Sequence, residues 1–234
     1  MNIRNPRHSC LVVFISFFSL LNAQVEIDSL DLDDKYREDQ FYLSVTYNFL
    51  SNKPENVTQK GFPTGLHLGF IRDMPVNERR NLSVGLGLGI SSNSYNQNIL
   101  INSNIGPDNF DLIDGETISF TKNKFTTYLV EVPFELRWRT STSSSYKFWR
   151  VYTGVKVGYV LFNSSKYEGN LGDIKNKNIE NFEKLQYGLT LSFGYSTFNF
   201  HVYYSLNNIF KDTSLNGESI DLSALKIGLI TYIL

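Results

Sequence analysis

Six charged residues of this chain sit on strand patterns whose other face is apolar. Glu131, Glu135, Arg137 and Arg139 alternate with Val130, Val132, Phe134, Leu136 and Trp138, while Arg150 and Lys156 alternate with Trp149, Val151, Val155, Val157 and Tyr159. Successive side chains of a strand point to opposite faces, so these charges share one face and the apolar residues the other. Carboxylates and cations on one face could line an ion path, pass protons, or neutralise one another in a confined interior. An unpaired charge is very costly where water is scarce, so we read the set as a structural network, with Glu131 and Glu135 opposing Arg137, Arg139, Arg150 and Lys156.

Other chemistries find little support. His67 and His201 are the only histidines beyond position 8. Ser205 shares a strand face with His201, but four residues of strand separate them by about 13 Å, too far for a nucleophile and its base. No His/Cys cluster has the spacing of a metal site. Gly85-x-Gly87-x-Gly89 lies inside a strand pattern and lacks the strand-to-helix turn of a dinucleotide site. The expectation is no catalytic residues, no cofactor and no metal.

The elements that must position the charges are strands. The clearest is 82–91, in which Leu82, Val84, Leu86, Leu88 and Ile90 alternate with Gly and Ser. Seven further segments alternate in the same way, over about 40–49, 64–72, 127–139, 148–162, 185–195, 198–207 and 222–234. The last has an ambiguous register, because Leu225, Ile227, Leu229 and Ile233 compete with Ile230, Tyr232 and Leu234 for the apolar face. Runs of this length cross a bilayer as tilted strands, and no stretch is long and apolar enough to cross as a helix.

The connections alternate between long and short, and both termini fall on the short side. That is the layout of an outer-membrane barrel, with both termini in the periplasm. The fold class expected is therefore all-β, an eight-stranded antiparallel up-and-down transmembrane barrel with a filled polar lumen. Leu82, Val84, Leu86, Leu88, Ile90, Val130, Val132, Phe134, Leu136 and Trp138 then face outer-membrane lipid. A soluble barrel with the apolar face inside is the alternative, but eight strands enclose too little room for so many Trp, Tyr and Phe side chains. Gly85, Gly87 and Gly89 suit crowded lumen positions, where a thin wall leaves room for long charged chains.

Residues 1–23 read as an export signal: Arg4, Arg7 and His8 precede an apolar run too short for an anchor, and Ala23 offers a cleavage point. Residues 24–39 form an acidic periplasmic lead-in, and 40–234 the barrel. The single cysteine, Cys10, leaves with the signal. Removing Arg4 and Arg7 leaves 20 Lys and Arg against 23 Asp and Glu, a formal charge of −3, which argues against a nucleic-acid partner.

Two segments go beyond generic barrel pattern. Lys35-Tyr36-Arg37-Glu38-Asp39-Gln40-Phe41-Tyr42 with Val45-Thr46-Tyr47-Asn48, and Leu129-Val130-Glu131-Val132-Pro133-Phe134-Glu135-Leu136-Arg137-Trp138-Arg139-Thr140-Ser141, resemble the opening and the central strand of the PorT-type barrels of the Bacteroidetes. The resemblance implies a non-enzymatic component or assembly factor of the type IX secretion and gliding machinery, with other secretion-machinery proteins as partners. Two other roles stay open: a structural or adhesin-like barrel unrelated to secretion, and a lipid-modifying enzyme. The role of the long loop over 92–124 is open as well.

Overall fold

A computed structural model describes residues 39–102, 109–113, 118–140, 148–215 and 218–233. The expected export signal, most of the lead-in and the turn after Thr140 lie outside these residues. The strands in chain order are β1 (Gln40–Ser51), β2 (Thr64–Pro75), β3 (Leu82–Asn96), β4 (Ile99–Asn102), β5 (Asn109–Leu112), β6 (Phe120–Arg139), β7 (Trp149–Gly169), β8 (Gly172–Lys177), β9 (Leu185–Tyr195), β10 (Phe198–Ser205), β11 (Ser214–Leu215), β12 (Glu218–Ser219) and β13 (Ser223–Ile233).

Eight of them close a barrel in the order β6-β3-β2-β1-β13-β10-β9-β7, with β7 returning to β6. Every neighbouring pair is antiparallel, and closure leaves the barrel without a free strand edge. Pairing with β1 sets the register of β13: Val45 lies opposite Leu229 and Tyr47 opposite Ile227. Leu225, Ile227, Leu229 and Ile233 therefore point outward, while Ile230 and Tyr232 are buried inside.

Four strands run further than the apolar alternation. β2 continues to Pro75, β3 to Asn96, β6 starts at Phe120 and β7 ends at Gly169. The cause is a change of surroundings along one continuous strand. From Trp138 back to Tyr128, the outward residues of β6 are apolar or aromatic, and the inward ones include Arg137, Glu135 and Glu131. Beyond Tyr128 the faces exchange character: Lys124 and Lys122 point outward, whereas Phe125 points in and is fully buried. β7 makes the same exchange, from inward Arg150 and Lys156 to inward Tyr167. A register shift marks the junction, where Tyr128 opposes Phe162 but Leu129 opposes Val160, so that Leu161 is the extra residue. Such a bulge locally turns and re-aims a strand.

The outward face carries two aromatic groups. Phe41, Trp138, Trp149, Tyr195 and Phe198 lie toward the short-turn end, and Tyr47, Phe49, Tyr128, Tyr159 and Phe62 toward the long-loop end. The ten-residue step from Tyr128 to Trp138, at about 3.3 Å per residue and a tilt of about 40°, spans roughly 25 Å along the barrel axis, the height of an apolar bilayer band.

The long loops pack over the barrel end as an apolar cap. Its buried cluster joins strand-end residues (Leu50, Tyr95, Phe125, Ala224) to loop residues (Phe110, Ile179, Phe182, Phe210, Leu222). The rings interlock, with centroids 4.9 Å apart for Tyr95–Phe125, 5.5 Å for Phe125–Phe182 and 4.7 Å for Phe182–Phe210. The loop over 92–124 contributes the hairpin β4–β5, in which Ile101 lies opposite Phe110. Its Ile99, Ile101 and Phe110 belong to this cap.

Candidate functional site: the charged lumen

The lumen holds two charge clusters stacked along the axis. The first lies toward the short-turn end and centres on Asp73. Alternation along β2 (His67, Gly69, Ile71, Asp73) places Asp73 inside, two residues after the last apolar inward position. Its Oδ1 lies 2.9 Å from Arg137 Nη1 and its Oδ2 lies 2.8 Å from Arg139 Nη1. Ser83 donates its hydroxyl to Oδ1 at 2.7 Å, and the Asp73 backbone N–H donates to Asp39 Oδ1 at 2.8 Å. Arg137 also donates to the Gln40 side-chain carbonyl, lies 3.6 Å from Glu135 and stacks 4.1 Å from the Tyr152 ring centre. Both Arg137 and Arg139 are fully buried.

The second cluster centres on Glu131, midway along β6. Its Oε2 lies 3.2 Å from His67 Nδ1 and 3.4 Å from Lys156 Nζ, and its Oε1 accepts the Ser91 hydroxyl at 2.8 Å. Asn93 donates to Ser91 at 3.0 Å, extending the chain toward the cap. Nearby, His201 Nδ1 and Ser192 Oγ are 2.8 Å apart.

The six charged residues singled out from the sequence are all inside and all buried, but their pairing differs from the expected one. Arg139 takes Asp73 as its partner rather than a glutamate, because β2 carries Asp73 beyond the apolar run. Arg150 makes no ion pair among the described residues; its guanidinium lies 4.5 Å from the Phe148 ring centre. Lys226, on the inward face of β13, was hidden by that strand's ambiguous register. It too lacks an ion pair among the described residues and sits 4.7 Å over the Tyr203 ring. Among the described residues the lumen buries Asp73, Glu131 and Glu135 against Arg137, Arg139, Arg150, Lys156 and Lys226, so cations are in excess. Both Arg150 and Lys226 lie over aromatic faces, which attract cations most strongly where water is excluded.

The small residues of β3 make this filling possible. A Cβ on Gly85 would fall 2.7 Å from Arg137 Cδ and 2.9 Å from Ile71 Cγ2. Gly89 stands against the Tyr42 hydroxyl in the same way. The outward residues of the same strand, Leu82, Leu86, Leu88 and Ile90, are exposed, as are Val132, Phe134, Leu136 and Trp138 on β6; Val84 and Val130 are half-buried.

As chemistry, the arrangement is a set of buried ion pairs with cations in excess. Ser91 donates its hydroxyl to Glu131, whose other oxygen is shared by His67 and Lys156. Ser205 donates to the Asn207 carbonyl at 2.8 Å, well away from any histidine interaction. No group of three His, Cys, Asp or Glu side chains among the described residues is placed to hold a metal.

Comparison with known proteins agrees with this architecture. Residues 22–211 match the family model described as outer membrane protein beta-barrel domain. No curated protein matches the chain in sequence. Among solved structures, the chain is similar to Ail, the attachment invasion locus protein of Yersinia pestis, at 12% identity and a TM-score of 0.34, over 84% of this chain and 99% of that one. The same protein in complex with the heparin analogue sucrose octasulfate gives 13% identity and a TM-score of 0.35, with the same coverage. Likeness of that extent says nothing about what this chain binds. The match of the family model over most of the chain does carry weight: the protein belongs to the outer membrane protein beta-barrel domain family.

Proposed function

We propose that this outer-membrane barrel is a non-enzymatic component or assembly factor of type IX protein secretion, working through its outer surfaces. The observation that carries the non-conducting, non-catalytic part of this reading is the filled lumen. Charged side chains from Asp73 to Glu131, then Asn93, Tyr95 and Phe125, occupy the inside along its length and are buried. A barrel filled in this way favours contacts with lipid and with other proteins over conduction or chemistry inside the lumen. The link to secretion is supported by the resemblance of residues 129–141 to the PorT-type central strand. In this reading the charge network is structural, both termini face the periplasm, the long-loop cap faces outward, and Leu82, Leu86, Leu88, Phe134 and Leu136 meet lipid.

Deleting the gene and following export of cargo proteins tests the proposal. Loss of cargo from the cell surface and medium, restored by the intact gene, is expected. Normal cargo export in the deletion strain would end the secretion reading and leave the structural or adhesin-like one.

A further inference from the structure

Above the long-loop aromatic group, the outward face of the sheet carries a row of like charges. Lys124 on β6 lies directly opposite Lys166 on β7, and Lys166 directly opposite Lys175 on β8. Direct cross-strand partners share a face, and like charges placed so close are destabilising by themselves. The adjoining row holds Lys122, Glu168 and Asp173 in the same register, and Lys177 extends the basic area on the other side. Glu168 is committed, bridging Lys122 at 3.2 Å and Lys166. Hydrogen bonds from those two lysines hold its carboxyl below the usual glutamate range. Lys124, Lys175 and Lys177 form no ion pair among the described residues, so the face keeps a positive excess.

The position of this row says what it faces. Lys124 is four residues beyond Tyr128, about 13 Å along the strand and roughly 10 Å along the barrel axis, which sets its backbone at the water-facing edge of a headgroup layer about 5–8 Å thick, within reach of lipid phosphates for a long side chain. A cleft of about 270 Å³ opens beside the row, lined by Lys60, Lys122 and Lys124 together with the rings of Phe62 and Phe120. Phe62 is 72% exposed, and its ring packs edge-on to Tyr47 at 5.3 Å. A basic row joined to an exposed aromatic side chain at the hydrocarbon boundary matches a ligand that carries phosphate at one end and acyl chain at the other. A soluble polyanion would leave Phe62 unused.

We propose that this row and its cleft bind the phosphate-bearing headgroups of membrane lipid at the long-loop end of the barrel. The inference rests on the reading of the chain as a bilayer-spanning barrel with its long loops outward. Bound phosphates relieve the repulsion along Lys124, Lys166 and Lys175, so this lipid stabilises the cap-side sheet.

The test compares the intact protein with the triple variant Lys124→Gln, Lys166→Gln, Lys175→Gln, both folded in neutral detergent micelles. The probe is diphosphorylated lipid A, with its dephosphorylated form as control and native mass spectrometry as readout. Each lysine near an anionic lipid is worth about fivefold in affinity, so the triple variant is expected to bind about a hundredfold more weakly. The intact protein is expected to discriminate strongly against the dephosphorylated lipid, and the triple Lys→Arg variant to keep binding. In micelles without lipid A, the Gln variant is expected to be as stable as the intact protein or more so. Equal affinity of intact and Gln proteins, or equal binding of both forms of lipid A, would overturn the proposal. Tighter binding of inositol hexaphosphate than of lipid A would overturn it in favour of a soluble polyanion. If the Gln variant does not fold, the two lipid A forms on the intact protein still decide. Failure of the intact protein to insert into phosphatidylcholine vesicles would instead remove the underlying reading.

Discussion

The barrel wall is inside-out over one part of its length and conventional over the other. Between Trp138 and Tyr128 the strand β6 turns apolar residues outward and buries Arg137, Glu135 and Glu131; beyond Tyr128 it turns Lys124 and Lys122 outward and buries Phe125. The backbone pairing of β6 with β7 runs through both parts with shifts only at Leu161 and Thr121. What differs is the solvent outside the wall. Lipid on one part makes apolar side chains favourable outside and leaves polar side chains the lumen. Water on the other part restores the usual order, and the cap cluster forms by the same burial that drives soluble folding. The two parts consequently hold together by different means: one by ion pairs, hydrogen bonds and cation–ring contacts, the other by interlocked aromatic rings.

That difference can be broken from either side. The largest effect is expected from Asp73→Ala, which strips Arg137 and Arg139 of their shared carboxylate. Removing one partner of a buried pair costs about 3–5 kcal/mol, because the remaining charges stay buried. The denaturant midpoint of the folded barrel in micelles should fall accordingly, while hydrogen exchange in the cap stays slow. Glu135→Ala should cost less, since its contact with Arg137 is the longer one at 3.6 Å.

Phe125→Ala attacks the other part. Deleting a buried ring from a packed cluster costs about 3 kcal/mol. Here exchange should quicken in the hairpin β4–β5 and around Phe182 and Phe210, while the strands near Asp73 remain protected. Coupled loss of both regions on either substitution would mean that the two fillings are one cooperative unit.

Gly85→Ala sharpens the lumen account. The added methyl meets Arg137, whose guanidinium is fixed by Asp73 and Gln40 and cannot move aside. Overpacking of this kind costs about 1–3 kcal/mol, read as a lowered midpoint. The smallest effect belongs to the exposed bridge of Glu168 with Lys122 and Lys166. Its carboxyl is held below the ordinary range. Any stabilisation it gives is therefore complete above the unfolded-state pKa and disappears as pH falls through the lower folded-state value. Glu168→Gln should leave the midpoint at neutral pH unchanged within error, because exposed pairs contribute little.

The closed eight-stranded barrel could be read from residue order because lipid imposes a strict period of two on every crossing strand. The same signal stopped short at each strand's end. β2 was expected to end at Arg72, and the decisive Asp73 lies one residue further, where the outward neighbours no longer mark the face. Lys226 was missed for a related reason: β13 has apolar residues at both parities, and only its pairing with β1 selects between them. The partners of individual charges depend on which strands become neighbours after closure, so Arg139 with Asp73 and Arg150 over Phe148 were beyond reach of periodicity. The cap was least legible, because Ile99, Ile101 and Phe110 stand among polar residues and gather only when the loops fold over the barrel end.

Conductance tests the central claim, that the interior is filled from end to end and the protein works by its surfaces. The protein reconstituted into a planar phosphatidylcholine bilayer is expected to give no stable current steps under voltage. Steady, long-lived openings of a water-filled pore in the intact protein would contradict the account.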